Sequence, residues 1–111
     1  MQMLVIVLNK VECLENLLER MGEEGLLGAT VLDSRGMAHI LCDEDTPMFG
    51  MLRSILNPER KQNKTIFAVL SDEQVEVARR IVNEVTGGLT RPDTGIMFSV
   101  PTLFIEGLES K

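Results

Sequence analysis

The residues from Lys64 to Leu108 constrain the fold most, because they contain a strand, a helix, a glycine-rich turn and a second strand in one run. Thr65–Leu70 is β-branched and aromatic, which predicts a strand. Ser71 follows, and together with Gln74 it forms an S-x-x-Q capping box that predicts the start of a helix. The apolar residues that come next have the spacing of a helix with one face on a sheet. They are Val75, Ala78, Ile81, Val82 and Val85.

A glycine pair is expected to end this helix. Gly87 and Gly88 can adopt the left-handed backbone conformation that closes a helix without a steric penalty. Seven loop residues, Leu89–Gly95, then lead into Ile96–Val100, an apolar run that predicts a buried strand. Pro101 ends that strand or marks it as an edge strand.

The first third of the chain has the same order of elements. Met3–Leu8 is a continuous apolar run, which predicts a strand that is central or covered on both faces. Apolar residues from Val11 to Met21 recur at helical spacing, and Ala29–Leu32 predicts a second strand. The repeated order predicts one α+β domain over residues 1–111 with a ferredoxin-like βαββαβ fold. Its four-stranded antiparallel sheet carries two helices on one face, and partner subunits would need to cover the other face.

Residues 37–63 form a connection between the second and third strands that is far longer than a hairpin needs, and long connections are often functional. Within it, Thr46 and Pro47 predict the start of a short amphipathic helix that reaches Ile55. Two interpretations of this helix remain open. It is either a lid packed on its own domain or a methionine-rich surface for a partner protein.

Composition limits the class of protein. The chain has 111 residues and a net charge of −6, which argues against broad electrostatic binding of nucleic acid. No apolar run approaches the roughly 18 residues of a membrane span. Met1–Leu8 lacks the basic start of a signal peptide, so we expect a cytoplasmic protein. Cys13 and Cys42 have no C-x-x-C spacing and are expected to be reduced.

The usual sequence motifs of enzymes are missing. The chain contains no phosphate-binding P-loop, no G-x-S-x-G and no H-E-x-x-H motif, so we expect no catalytic activity. His39, Cys42 and Asp43 lie in the run H-x-x-C-D-E-D, which contains possible metal ligands. A structural zinc site normally has four ligands in recurring pairs, and the second pair is missing here. We therefore interpret the run as an exposed acidic loop and keep metal binding as the alternative.

The glycine-rich turn is the better candidate for a binding site. Gly87, Gly88 and Gly95 allow backbone amides to come close to a bound anion, and Arg91 between them adds a cation. The alternative is simple turn chemistry that joins a helix to a strand.

Three segments together resemble the PII signal-transduction family: GATVLDSRGMA, LSDEQVEVARRIV and TGGLTRPDTGIMFSVP. They resemble that family's second strand leading into its long T-loop, its second helix, and its B-loop with the fourth strand. The resemblance implies a homotrimer that holds small effectors in clefts between subunits. It also implies that residues 37–63 contact a target protein.

The resemblance also implies positions for the binding residues. Thr30 and Gly36 match positions at the nucleotide cleft and at the base of the T-loop, and Gly87 and Gly95 match B-loop glycines. Together with Gly88 and Arg91 they form the predicted site for an anionic effector, for which an adenine nucleotide is one candidate. Ile96 stands where the family has a phosphate-binding lysine, and the family's paired C-terminal arginines are absent.

Three other functions remain open. The first is a metal-responsive trimer of the same fold that uses His39, Cys42 and Asp43. The second is a non-catalytic interaction module that binds no nucleotide. The third is an enzyme on a ferredoxin-like scaffold, comparable to acylphosphatases, although no phosphate-binding loop follows the first strand.

Overall fold

The computed structural model describes residues 1–42 and 62–108. Four strands and three α-helices lie within these ranges, and a short 3-10 turn, Val11–Cys13, precedes the first helix. In chain order the elements are β1 (Gln2–Leu8), α1 (Leu14–Glu23), β2 (Thr30–Ser34), α2 (Met37–Cys42), β3 (Asn63–Leu70), α3 (Asp72–Thr86) and β4 (Gly95–Pro101).

The four strands form one antiparallel sheet in the order β2-β3-β1-β4. β1 is central, as its continuous apolar sequence predicts, and Leu8 at its end pairs with Lys64 of β3 and Gly95 of β4. Ser34 at the end of β2 pairs with Asn63 at the start of β3. The α+β, ferredoxin-like prediction is therefore confirmed. The end of β1, the end of β2, the start of β3 and the start of β4 all lie at one end of the sheet. We call it the loop end.

The core lies between one face of the sheet and the helices α1 and α3. Alternate residues of β1 and β3 point into it because side chains on a strand alternate between faces. Arg20 of α1 is bonded to Glu84 of α3, and Glu24 contacts Arg80, so the two helices also meet at the surface. The buried core consists of Leu4, Ile6, Leu8, Leu17, Met21, Leu26, Ile66, Ala68, Leu70, Val75, Ala78, Ile81 and Val82.

Both predicted ends of α3 are confirmed. The Ser71 hydroxyl accepts a bond from the Gln74 amide at 3.3 Å, and the Gln74 side chain accepts one from the Ser71 amide at 2.9 Å. Gly87 closes the helix with a φ of 84°, in the left-handed region. Two donors that a helix start leaves without internal partners are satisfied in this way.

The strand predicted at Ile96–Val100 is present, and of the two positions that the sequence left open, buried or at the edge, the edge position is correct. β4 is an edge strand, and Ile96, Phe98 and Val100 are 57%, 47% and 39% exposed. Their side chains lie on the sheet face opposite α1 and α3, which the described residues leave uncovered except at the loop end, where Asn63 is buried. We call this the open face; pairing and alternation assign to it Met3, Val5, Val7, Thr30, Leu32, Ser34, Asn63, Thr65, Phe67, Val69, Ile96, Phe98 and Val100.

The residues after β4, Thr102–Leu108, form an arm that leaves the sheet. Thr102 fixes its base, since its amide and hydroxyl both donate to the Met1 carbonyl, at 3.4 and 3.1 Å. Beyond this point Leu103 is 98% exposed and Phe104 is 78% exposed. The arm therefore carries large apolar side chains that its own chain does not bury.

The start of the long connection differs from the prediction. Met37–Cys42 is helical, whereas the sequence was interpreted as an exposed acidic loop around His39. So short a segment shows no helical periodicity in sequence, and in the structure its His39 contacts Asp93 in the turn before β4. The helix predicted from Thr46 to Ile55 lies outside the described residues. Within the described ranges, no helix is long and apolar enough to cross a membrane.

Candidate functional site

The loop end of the sheet is built on a network of small polar side chains. The Ser34 hydroxyl donates to the side-chain oxygen of Asn63 and lies 2.8 Å from the hydroxyl of Thr65. The Asn63 side-chain amide in turn donates to the side-chain oxygen of Asn9 at 3.2 Å. Asn63 is buried, so these bonds satisfy polar groups that would be costly to bury alone. The network fixes the ends of β1, β2 and β3 relative to one another.

The turn between α3 and β4 is attached to the same end. The amides of Asn9 and Lys10 both donate to the Thr94 carbonyl, at 3.0 and 3.1 Å. The Lys10 ammonium group donates to the Thr86 carbonyl at 3.2 Å, which places a cation at the carboxyl end of α3. A cation at this end of a helix is favoured by the helix dipole. Asn9 and Lys10, which follow β1, therefore bond to the end of α3 at Thr86 and to the last residue of the turn, Thr94.

Three backbone amides of the turn already have hydrogen-bond partners, either in the turn or in α3. The Gly88 amide donates to the Thr86 hydroxyl, the Leu89 amide donates to the Asn83 side chain, and the Arg91 amide donates to the Gly88 carbonyl. These three amides are thus already engaged, two of them by side chains of α3. Arg91 itself is exposed, and a Cβ atom placed on Gly87 would lie 3.7 Å from its guanidinium carbon. The cation therefore lies over the glycine that ends α3.

A contact between two largely buried side chains connects the turn to α2. His39 Nε2 lies 3.4 Å from Asp93 Oδ1, and the two side chains are only 11% and 6% exposed. Asp93 has a φ of 53°, a left-handed conformation that aspartate tolerates better than most residues. The sequence interpretation that placed His39 on an exposed loop is therefore wrong. The physical reason is that Asp93, 54 positions later in the chain, provides a partner that local sequence cannot reveal.

Gly36 lies beside this pair at the start of α2. Its carbonyl accepts a bond from the Ile40 amide at 3.0 Å. A Cβ atom at position 36 would lie 3.4 Å from Asn63 Nδ2 and 3.6 Å from His39 Nδ1. The glycine therefore marks the point where the polar network, α2 and the end of β2 meet.

Gly95 has a structural requirement that is independent of any ligand. Its φ is 152°, and a Cβ atom there would lie 2.5 Å from the Val7 carbonyl oxygen. No side chain fits at that distance without a shift of β1 or β4. The glycine is therefore needed for strand pairing, whether or not the turn also binds an anion.

The predicted binding residues divide into two groups. Gly36, Gly87, Gly88, Arg91 and Gly95 all lie at the loop end of one chain. Thr30 does not, because it starts β2 and pairs with Phe67, four residues before Ser34. That separation corresponds to about 13 Å along a strand. Within one chain, Thr30 is therefore separated from the other predicted residues.

Four residues at this end were not found from the sequence: Ser34, Asn63, Asp93 and Lys10. Polar residues at strand ends were the available signal, but only the sheet register shows that they meet. For the metal alternative, the described residues contain no group of three or more potential metal ligands. The Cys42 side chain and Asp43 lie outside that part of the structure.

No protein-family model matches the chain, and no curated protein sequence matches it significantly. The resemblance to the PII family therefore stands on the quoted segments, and only the ferredoxin-like fold is established.

Proposed function

We propose that the chain is a non-catalytic, PII-like regulatory protein of the cytoplasm that binds a small anionic effector at the loop end of its sheet. The observation that carries this proposal is the His39–Asp93 pair, because it connects the candidate binding turn to the first helix of the long connection. A ligand that shifts the turn would change this contact. It would then change the position of α2, and with it residues 37–63, the segment proposed to contact a target protein.

Arg91 supports an anionic ligand. It is the exposed charged residue of the turn from Gly87 to Thr94, whereas the Asp93 carboxylate is buried against His39. Because the amides of Gly88, Leu89 and Arg91 already have partners, we expect the Arg91 side chain to supply most of the attraction for an anion. We therefore favour an effector with few negative charges over a triphosphate.

Ile96 also favours an effector with few negative charges. It stands where the PII family has a lysine, and its side chain belongs to the apolar open face. A triphosphate would lose a charge-assisted contact there, worth about 1.5–3 kcal/mol. Cyclic nucleotides, nucleoside monophosphates and bicarbonate are accordingly the preferred candidates among the compounds to be tested.

The separation of Thr30 from the other predicted residues supports a site that is completed between copies. The open face supports self-association, because an uncovered apolar sheet is rare in a stable monomer. We propose a homotrimer, following the resemblance, with the effector in the cleft between adjacent copies.

The proposal is tested by isothermal titration with ATP, ADP, AMP, cyclic AMP and bicarbonate. We expect at least one compound to bind, and we expect Arg91→Gln to weaken its binding roughly 10- to 100-fold, the effect of losing one charge-assisted hydrogen bond. Arg79→Gln is the matched control, because Arg79 is exposed on α3 and bonded to Glu76. Absence of binding heat for the whole panel would refute the proposal, as would equal effects of the two substitutions.

A further inference from the structure

The open face carries no charged side chain among the described residues. Its only polar members are Thr30, Ser34, Asn63 and Thr65, and all of these are neutral. Strand spacing and rise give the four strands a projected area of roughly 400 Å². A largely apolar, uncharged surface of this size normally marks an interaction site. Because it lacks charge, it fits an apolar partner surface and not a charged ligand.

The arm offers the matching surface. Leu103, Phe104 and Leu108 are exposed by 98%, 78% and 47%, and Glu106 is the only charged residue of the described arm. Fully extended, its seven residues would reach roughly 23 Å, about the length of β4, which also has seven residues. The arm also follows β4 directly, so the two apolar surfaces of each copy are continuous.

We propose that the arm of one copy packs across the open face of a second copy. The arm does not cover the open face of its own chain, since Leu103 contacts almost nothing there. A second copy carries both surfaces, so each chain can donate an arm and receive one. Closed symmetric assemblies use such repeated contacts. This inference relies on the self-association in the proposed function, but it does not rely on the ligand.

The first test changes the arm and measures mass by sedimentation equilibrium. We expect the wild type to be an oligomer and the double variant Leu103→Asp, Phe104→Asp to sediment as the 12.4 kDa monomer. Both side chains are exposed within one chain, so the circular dichroism spectrum of the variant should match that of the wild type. Glu106→Gln is the control on the same arm, and its mass should equal that of the wild type.

The second test locates the contact by cross-linking. In a Cys13→Ser, Cys42→Ser background, one chain carries Leu103→Cys and the other carries Phe98→Cys on the open face. A short bis-maleimide should join the two chains in a mixture. It should not join the Leu103→Cys chain to one that carries Glu15→Cys on the exposed side of α1.

The outcomes separate this inference from the proposed function. An oligomer that persists in the double variant, without the cross-link to Phe98→Cys, would overturn the arm contact and leave ligand binding untouched. A wild-type protein that is monomeric at all concentrations would overturn the arm contact and the proposed trimer together. The titration with Arg91→Gln would still test the binding turn independently.

Discussion

Gly95→Ala provides a sharp test of how the candidate turn is attached to the sheet. The new Cβ atom would meet the Val7 carbonyl oxygen at 2.5 Å and would be held at a φ of 152°. A backbone conformation that is nearly restricted to glycine costs about 1–3 kcal/mol, and overpacking against backbone costs a similar amount. We therefore expect the free energy of unfolding to fall by about 2–5 kcal/mol, a large share of the 5–15 kcal/mol typical of a domain.

The assay is urea denaturation followed by far-ultraviolet circular dichroism, because the chain has no tryptophan or tyrosine for fluorescence. Gly28→Ala is the matched control. A Cβ atom there would have no neighbour within 4 Å, and Gly28 has no positive φ. This substitution should be neutral or stabilising by up to about 1 kcal/mol. If Gly95→Ala unfolds at the same urea concentration as Gly28→Ala, the result would contradict the close contact between Gly95 and the Val7 carbonyl oxygen.

Three further predictions concern the core and the helices. Ser71→Ala removes the hydroxyl of the capping box on α3 and should lower the free energy of unfolding by about 1 kcal/mol, measured by urea denaturation. Ile81→Ala leaves a cavity at a fully buried position and should cost about 2–5 kcal/mol in the same assay, whereas Ile81→Val should cost about 0.5–1.5 kcal/mol. The hydrogen bond from Arg20 lowers the pKa of Glu84, so Arg20→Gln should raise that pKa toward its ordinary value in a carbon-detected NMR titration. Because the folded-state pKa is lowered, the pair stabilises the fold above the ordinary glutamate pKa, and this contribution is lost as the pH falls through the lowered value; an unchanged Glu84 titration in the variant would contradict the assignment.

Local patterns predicted the elements of the fold well. The capping box at Ser71 and the spacing of apolar residues in α3 are properties of neighbouring residues, so they can be read without the tertiary structure. The repeated strand-helix-strand order then limited the topology to the ferredoxin-like arrangement. The boundaries agree to within a few residues; β2, for example, ends at Ser34 instead of Leu32.

The errors arose where partners are distant in sequence. An apolar run such as Ile96–Val100 looks the same in a buried strand and in an exposed edge strand, so the run alone did not specify its exposure, and only Pro101 indicated the edge. The His39–Asp93 pair and the Ser34–Asn63 bond depend on the sheet register, which no local pattern specifies. Gly95 was assigned to a ligand from its place in the glycine-rich turn and from the resemblance, whereas its contact with Val7 gives it a structural role as well.

The central claim is that the binding turn is coupled to the long connection through His39 and Asp93. It is tested most directly by hydrogen exchange of the α2 amides, above all that of Ile40, with and without the nucleotide or bicarbonate that binds in titration. The comparison uses the wild type and Asp93→Asn, which keeps a residue type that tolerates a positive φ but removes the charge. We predict that the ligand changes Ile40 exchange in the wild type and that Asp93→Asn binds the ligand without this change. The same ligand-dependent change in both proteins, or no change in either, would contradict the account.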